Sequence, residues 1–364
     1  MDVEKKSTHD QPGAREESDR PQAAFDPRIT NLFSYCDLND PLFKNMHRLA
    51  QTWPGREWAW ESGPAAAPGP GLSVMELKSR LSDLPRLDIA FLLHDDPQLP
   101  PMPQVLEELR KITADERVSV EAIGEVIIKD SGLSAFLLRL VNSPFYGFSS
   151  KVDTVSRAVG LIGIKPLYSL ALGFIFSEII ARAPKNMPGL DGLWRHSVAV
   201  GIAAQTIWEI QEGQADSERL FVAGLLHDVG KLVLMCTGGE QARILYGQTE
   251  AGAITHDLEE KVLGFSHAKL GGLLLKKWNM PAPLISAVHW HHNPYHAAHY
   301  KEPAVIHLAD MLANGLGLGV RPGSPVPALG RYSAAPYQLE AETLDLVATA
   351  LSERLEGIHA MFKP

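Results

Sequence analysis

The sequence predicts an all-α protein with two packed helical subdomains. From residue 99 onward, apolar residues recur at helical spacing in one segment after another, and Gly, Pro, Asn or Asp residues separate the segments. The alternation of apolar and polar residues that is typical of β-strands is not evident in the chain. With 364 residues, of which 45% are hydrophobic, the chain is long enough to build real cores in two subdomains.

The first predicted subdomain covers residues 96–190. Its five amphipathic segments are 104–113, 119–129, 133–142, 154–162 and 165–182. Turn residues stand between them, such as Asp130-Ser131-Gly132 and the stretch 184–189. This pattern predicts a bundle of short helices with tight connections.

The second predicted subdomain covers residues 191–316. Helices are expected at 193–211, 216–235, 239–249, 256–263, 266–277, 281–291 and 302–316. Asp216 or Ser217 is expected to cap one of them, and Ser266 another, because short polar side chains favour helix N-termini.

The flanks are less regular. Residues 1–95 are predicted to be a disordered N-terminus, a Pro- and Gly-rich linker at 61–71 and a short helical segment at 73–94. Residues 317–364 are predicted to be a loop and a closing amphipathic helix over 340–358.

Composition excludes several classes of protein. The net charge of −9 argues against a nucleic-acid-binding protein, which needs clustered Lys and Arg. No apolar run is expected to reach the roughly 18 residues of a membrane span. The N-terminus lacks the apolar region of a signal peptide, and two cysteines, Cys36 and Cys236, do not make a disulfide framework. A cytoplasmic protein is expected.

An ionisable pair interrupts the most apolar stretch, residues 219–236. His227 and Asp228 lie in its middle, and Lys231 follows one helical turn later. Burying such groups is costly unless they are paired or bind a metal. One interpretation is a metal or anion site; the other is a buried His–Asp hydrogen bond, with Lys231 forming a plain ion pair.

Potential partners for this pair occur on other predicted helices. The candidate metal ligands are His196, His227, Asp228, His267, His291, His292 and Asp310. Imidazoles and carboxylates without a thiolate favour iron or manganese, with zinc as an alternative, and Cys236 is interpreted as a core residue. His267 and His291 are alternatively surface histidines at helix ends, and His289 is expected to lie outside the ligand set.

Several motifs resemble the HDOD family, the HD-related output domains of bacterial signalling proteins. His196, His227-Asp228 and Asp310 follow the order H…HD…D of the HD superfamily of metal-dependent phosphohydrolases, and residues 227–231 match its HDxGK motif. The HDOD-like motifs lie at 99–103 (Leu-Pro-Pro-Met-Pro), 128–134 (Ile-Lys-Asp-Ser-Gly-Leu-Ser), 140–147 (Leu-Val-Asn-Ser-Pro-Phe-Tyr-Gly), 158–163, 278–281 and 291–294. The resemblance covers about residues 96–315.

This resemblance implies an HD-domain-like second subdomain, a signalling protein as partner, and the ligand positions of a two-metal site. Two departures weigh against the chemistry of the cyclic-di-GMP phosphodiesterases among HD proteins. Asn293 follows His291-His292 where those enzymes carry Glu, with no Gly-Tyr-Pro after it, and the turn before His196 contains Gly192 rather than a ligating carboxylate.

Three hypotheses follow. The first is a signalling output module whose metal or ligand pocket biases contact with a partner. The second is an active phosphohydrolase for a nucleotide or cyclic dinucleotide, with Asp228 and Lys231 in catalytic roles and Lys231 contacting phosphate. The third is a scaffold whose histidines no longer bind metal.

Overall fold

The structure is a computed structural model that describes residues 27–55, 72–93, 104–113, 117–142, 146, 148–183, 189–248, 255–320, 324–327, 337 and 339–362. Apart from an isolated bridge residue at Leu72, the regular elements in these ranges are helices. The predicted all-α fold is therefore confirmed. The stretches predicted to be disordered or linker at 1–26 and 61–71 lie outside the described residues.

In the described residues before the first predicted subdomain, 27–55 and 72–93, the structure has four helices. They are α1 (Pro27–Leu32), α2 (Pro41–Thr52), α3 (Val74–Ser82) and α4 (Ile89–Leu93). Asp40 caps α2 through Leu42 N–H, and Ser73 and Glu76 form a capping box at the start of α3. The sequence prediction had a short helical segment at 73–94, where the structure has α3 and α4, and it assigned no helix to α1 or α2.

The first helical subdomain consists of α5 (Gln104–Thr113), α6 (Val120–Ile128), α7 (Ser131–Val141), α8 (Val155–Ile162) and α9 (Ile164–Arg182). Ser119, Asp130 and Thr154 cap α6, α7 and α8 with side-chain oxygens. Gly163, with φ of 90°, makes the sharp joint between α8 and α9. Helix α9 contacts α5, α7 and α8, and it also packs on the helix Ser217–Leu226 of the second subdomain.

The second subdomain carries the candidate site. Its helices are α10 (Leu190–Glu212), α11 (Ser217–Leu226), α12 (Val229–Thr237), α13 (Gly239–Gln248), α14 (Thr255–Leu263), α15 (His267–Lys277), α16 (Ala282–Trp290) and α17 (Lys301–Gly315). Helix α10 is the central element, because α11, α17 and the closing helix α18 (Ala341–Phe362) all pack against it.

The prediction of one helix over 216–235 was wrong. The structure has α11 and α12, with a turn at His227 and Asp228 between them. Asp228 has φ −97° and ψ 12°, outside the helical region, so the pair sits at two helix ends instead of on one continuous surface. Because the helix breaks here, the two side chains contact polar groups from other helices. These contacts compensate the cost of burying the pair. Asp216 does occupy the N-cap of α11, and Ser266 that of α15, but neither side chain makes a capping bond.

One described stretch, Ser217–Thr237, is long and apolar enough to cross a membrane by length and composition. The sequence analysis expected no apolar run of this length, and it did not count this stretch, which contains His227 and Asp228. In the structure 89% of its most apolar window is buried inside the protein. Core helices pass the same test, so the stretch is weak evidence for a span.

The first two described helices, α1 and α2, meet the C-terminal elements of the described chain at the second subdomain. Trp53, which follows α2, donates its indole N–H to Ser352 Oγ of α18 at 2.9 Å, and Arg48 pairs with Asp345 at 3.1 Å. The backbone N–H of Val326 donates to Leu32 O at 2.7 Å. Helices α3 and α4 lie elsewhere, against α12, α13 and α14.

Candidate metal centre

All seven predicted ligands converge in the core of the second subdomain. His196 comes from α10, His227 and Asp228 from the turn between α11 and α12, and Asp310 from α17. His267 opens α15, while His291 and His292 follow the end of α16. Helix bundles commonly build metal sites in this way, with inward-pointing side chains from facing helices.

Three groups of three residues place their ligand atoms close enough to share an ion: two separate triads, and a third group of His227, Asp228 and His291 that joins them. The carboxylate triad consists of His196, His227 and Asp310, and the imidazole triad of His267, His291 and His292. Within each triad the potential ligand atoms all lie within 4.8 Å of one another. Atoms bound about 2.1 Å from one ion lie roughly 3 to 4 Å apart, so these separations suit a shared ion.

The carboxylate triad is tightly packed. His196 Nε2 lies 3.0 Å from Asp310 Oδ1, and His227 Nε2 lies 4.0 Å from the same oxygen. Asn314, one turn further along α17, donates its amide N–H to Asp310 Oδ1 at 2.8 Å. This bond fixes the carboxylate rotamer toward the two imidazoles.

Asp228 lies between the two triads. Its Oδ2 is 3.5 Å from His227 Nε2 and 3.8 Å from His196 Nε2, whereas its Oδ1 is 3.0 Å from His267 Nε2. In the imidazole triad, His267 Nε2 and His292 Nε2 are 3.0 Å apart. One carboxylate thus presents an oxygen to each triad, which is the arrangement of a bridging ligand.

Four of the histidines are oriented by hydrogen bonds from their Nδ1 atoms. His196 bonds to Leu318 O at 2.9 Å, His227 to Gly224 O at 2.6 Å and His291 to Val288 O at 2.7 Å. His267 bonds to a carboxylate oxygen, Glu259 Oε2, at 2.6 Å. Because carbonyl and carboxylate oxygens only accept, each Nδ1 carries a proton, and in the neutral imidazole Nε2 offers its lone pair inward.

These residues fit a metal. Nε2 of His227 and of His291 is buried without a hydrogen-bond partner, although a buried polar atom of this kind is costly. Asp228, Asp310 and Glu259 are buried, and the partly exposed Lys231 ammonium pairs with Asp228, which leaves two uncompensated negative charges if the imidazoles are neutral. Divalent cations would satisfy both the lone pairs and the charge. The donor set of imidazoles and carboxylates suits iron, manganese or zinc.

The electrostatics favour the protonation states that metal ligands need. Burial lowers the pKa of His227 to about 4, and burial together with neighbouring histidines holds the pKa of His291 and His292 well below the usual range. Burial raises the pKa of Asp310, but the bond from His196 outweighs it, and the net pKa is lowered. Burial also raises the pKa of Asp228, but His227 and Lys231 outweigh burial, and the net pKa is lowered.

His267 differs from the other histidines. Burial lowers its pKa, but Glu259 and Asp228 on either side outweigh burial, so the pKa is raised. Its imidazole therefore tends to hold a second proton when no cation is near, and binding a cation at Nε2 would release that proton.

The site is closed on most sides. The side chains of His196, His227, Asp228 and His267 are at most 1% exposed, whereas Lys231 and His256 are 12% and 15% exposed. The Lys231 ammonium donates to Asp228 Oδ2 at 2.6 Å. His256 packs against the ring of His292 with centroids 4.3 Å apart. Lys231, His256 and His292 therefore mark the side on which a small ligand would approach.

Two alternatives raised by the sequence are decided by burial. His267 and His291 are fully buried, so the interpretation of these residues as surface histidines was wrong. Cys236 is 7% exposed within the hydrophobic core, as predicted. Lys231 does form the ion pair with Asp228, which does not exclude a contact with a ligand anion.

Two helical glycines allow the backbone approaches on which the site depends. A Cβ on Gly230 would overlap the carbonyl oxygen of His267, so only glycine lets α12 come this close to the start of α15. A Cβ on Gly192 would likewise overlap Val320 O, in the segment that brings Leu318 O to His196. Glycine is a poor helix former, and its presence at these positions follows from packing.

Sequence reasoning missed four contributors: Glu259, Tyr246, His256 and the carbonyl of Leu318. Glu259 and its exposed neighbour Glu260 look alike in the predicted helix, and no motif separates them. A backbone carbonyl in a loop has no side-chain signature at all. His256 was visible as a histidine at the start of a predicted helix, and the excess of histidines in this half of the chain was the available signal.

The family follows from a match over more than half of the chain. Residues 99–294 match the model of the HDOD domain. This chain belongs to the HDOD family. The match contains the HDxGK segment and all six HDOD-like motifs, from 99–103 to 291–294, and it confirms that resemblance. Asp310 and Leu318 lie beyond the matched region.

Known HDOD and related proteins share the fold at low identity. An HDOD protein of unknown function from Geobacter sulfurreducens aligns with a TM-score of 0.57 and 20% identity, covering 79% of this chain and 96% of that one. A candidate phosphohydrolase from Shewanella amazonensis gives 0.58 and 22%, covering 75% and 98%. A candidate signal transduction protein from Marinobacter aquaeolei gives 0.56 and 19%, covering 92% and 68%.

A curated relative is an uncharacterized protein of Treponema pallidum (strain Nichols). It is 27% identical over 218 residues, which are 60% of this chain and 41% of that protein. The chain thus matches less than half of that relative's length.

Proposed function

We propose that this chain is a cytoplasmic signalling output protein of the HDOD type whose second subdomain binds two divalent metal ions. The observation that carries the proposal is the convergence of seven ligand side chains, of whose five imidazoles four are oriented by hydrogen bonds at Nδ1. Each triad would hold one ion, and Asp228 would offer one carboxylate oxygen to each triad. The metal centre then sets the geometry with which the two subdomains meet a signalling partner.

Burial supports a regulatory role ahead of a catalytic one. Metal sites that stabilise structure are closed, whereas catalytic sites keep an open position for water or substrate. Here the ligands are almost completely buried, and the approach is limited to the side of Lys231, His256 and His292. The ions would therefore stabilise the contact between α10, α12, α15 and α17 and make its geometry depend on metal.

The metal content of untagged protein purified without chelators tests this proposal. We expect elemental mass spectrometry to find close to two divalent ions per chain, with more iron or manganese than zinc. A content below about 0.2 ions per chain would overturn it, because an intact ligand set retains its ions. Such a result would leave the scaffold hypothesis.

A phosphohydrolase acting on a nucleotide or cyclic dinucleotide is a second candidate. It is favoured by the bridging position of Asp228 and by the Lys231 ammonium on the approachable side. Two neighbouring divalent ions, when bound, activate water and stabilise the charge of a phosphoryl group. In this role Asp228 would fix the relative position of the two triads, and Lys231 would donate to a phosphate oxygen.

Hydrolysis assays separate the two functions. Bis-p-nitrophenyl phosphate and cyclic dinucleotides are the probes, with Mn²⁺ or Fe²⁺ added. Activity that disappears in Asp228→Ala and persists in Asp345→Ala, an exposed carboxylate on α18, would establish the enzyme. If metal-loaded protein gives no turnover of either probe, the regulatory proposal stands alone.

A further inference from the structure

Glu259 is a completely buried carboxylate that is not among the seven candidate ligands. It lies on α14, and its Oε2 accepts two hydrogen bonds from His267, one from the backbone N–H at 2.7 Å and one from Nδ1 at 2.6 Å. Its Oε1 accepts the hydroxyl of Tyr246 on α13 at 2.8 Å. Burial raises its pKa, but His267 and Lys231 outweigh burial and lower it, so the group is ionised.

The bonds to His267 serve two purposes at once. The backbone N–H belongs to the first residue of α15, where a helix has unpaired donors and favours a negative charge. Ser266 stands at the N-cap but makes no capping bond, so Glu259 caps this helix in its place. The bond to Nδ1 fixes the ring and directs Nε2 at Asp228 Oδ1.

The two triads differ in charge. The carboxylate triad contains its own anion, Asp310, while the imidazole triad has three neutral ligands and shares only Asp228. Glu259 is the buried carboxylate that contacts the imidazole triad without belonging to either group. A carboxylate that accepts the Nδ1 proton raises the basicity of Nε2 more than a carbonyl does. Nε2 is then a stronger metal ligand.

We propose that Glu259 is the positioning residue that makes the imidazole triad a metal position, by orienting His267 and supplying the negative charge that this triad lacks. The proposal rests on the proposed metal centre. It assigns Glu259 no role at the carboxylate triad, whose histidines are oriented by backbone carbonyls. Tyr246 holds Glu259 in place from the side opposite His267.

The test compares Glu259→Gln with Glu260→Gln. A Gln keeps an oxygen acceptor for His267 but removes the charge, while Glu260 is an exposed neighbour on the same helix and serves as a matched control. Untagged protein is stripped with chelator and titrated with Mn²⁺, and bound ions are counted. We expect two ions in the wild type and in Glu260→Gln. In Glu259→Gln we expect the dissociation constant of one ion to rise about 10- to 100-fold, the range for lost partners of metal-bound histidines.

The electron paramagnetic resonance spectrum of the Mn²⁺ forms gives a readout that a merely structural role would not produce. Two adjacent ions give a spin-coupled spectrum, and Glu259→Gln at a Mn²⁺ level that fills one position should give the uncoupled spectrum of an isolated ion. Tyr246→Phe keeps the charge and removes one support, so a smaller weakening of the same ion is expected. This variant also carries the test if Glu259→Gln does not fold.

The outcomes are distinguishable. Wild-type protein that binds no Mn²⁺ overturns the proposed metal centre and this inference with it. Wild type with two ions and Glu259→Gln with two ions of unchanged affinity overturns the inference alone. Equal weakening of both ions in Glu259→Gln also overturns it, because that result indicates general loosening of the core.

Discussion

The carboxylate triad and the imidazole triad lie side by side around Asp228, yet different parts of the chain support them. In the first, His196 donates to the carbonyl of Leu318, in the segment that follows α17. In the second, His267 donates to the side chain of Glu259, held by Tyr246. One half thus depends on a backbone path, and the other on a buried side-chain network.

The two triads also differ in their position relative to the region that matches the family. The imidazole triad lies entirely inside the region that matches the HDOD model, residues 99–294, whereas Asp310 and Leu318 come after it. The segment after α17 is in turn tied to the N-terminal helices through Val326 and Leu32. We therefore expect that the two proposed metal positions can be altered separately, one through residues inside the matched region and one through the segment that follows it.

Asp228→Asn should have the largest effect, because this carboxylate faces both triads. The substitution removes the bridging charge and leaves the Lys231 ammonium without its 2.6 Å partner, and breaking a buried pair in this way costs about 3–5 kcal/mol. We expect the Mn²⁺ content to fall from two ions to near zero and the unfolding temperature to drop. Asp345→Asn, at an exposed carboxylate, is the control and should keep both ions. Retention of one ion in Asp228→Asn would show that Asp228 belongs to a single triad.

Asp310→Asn should remove the ion of the carboxylate triad and spare the other. Asn keeps the shape and the contact with Asn314 but loses the charge that His196 approaches at 3.0 Å. Since losing a supporting partner alone costs 10- to 100-fold in affinity, loss of a direct ligand should exceed about 100-fold for this ion. Titration with Mn²⁺ should then show one ion per chain. Combined with Glu259→Gln, which acts on the opposite triad, it should leave none bound at the same Mn²⁺ level. Two weakened but equal ions in Asp310→Asn would contradict the separation of the triads.

Most helices could be predicted from local apolar patterns, and α5 begins and ends at the predicted residues. The seven candidate ligands were proposed from His and Asp residues in the predicted helices and from the order of the HD motifs, and the structure brings their ligand atoms together. What could not be predicted depends on distances between remote segments. The break at His227–Asp228 is invisible in an uninterrupted apolar run, the role of Glu259 depends on Tyr246 and His267 reaching it, and Leu318 contributes only its backbone.

Gly192→Ala should have the smallest effect on metal affinity, because it changes no ligand. It tests the backbone support of the carboxylate triad directly. The added methyl would overlap Val320 O, and the segment 318–320 would have to move away from α10. Overpacking of this kind costs about 1–3 kcal/mol, and the shift should lengthen the bond from His196 Nδ1 to Leu318 O. We expect roughly tenfold weaker binding of the ion at the carboxylate triad, the low end of the range for a lost supporting bond, and no change at the imidazole triad.

Gly160→Ala is the matched control, since a methyl there meets only Val120 at 4.0 Å, and it should leave both affinities unchanged. If Gly192→Ala weakens the ion at the imidazole triad instead, the backbone path through Leu318 does not set the carboxylate triad, and the two halves of the site are coupled through the core rather than supported separately.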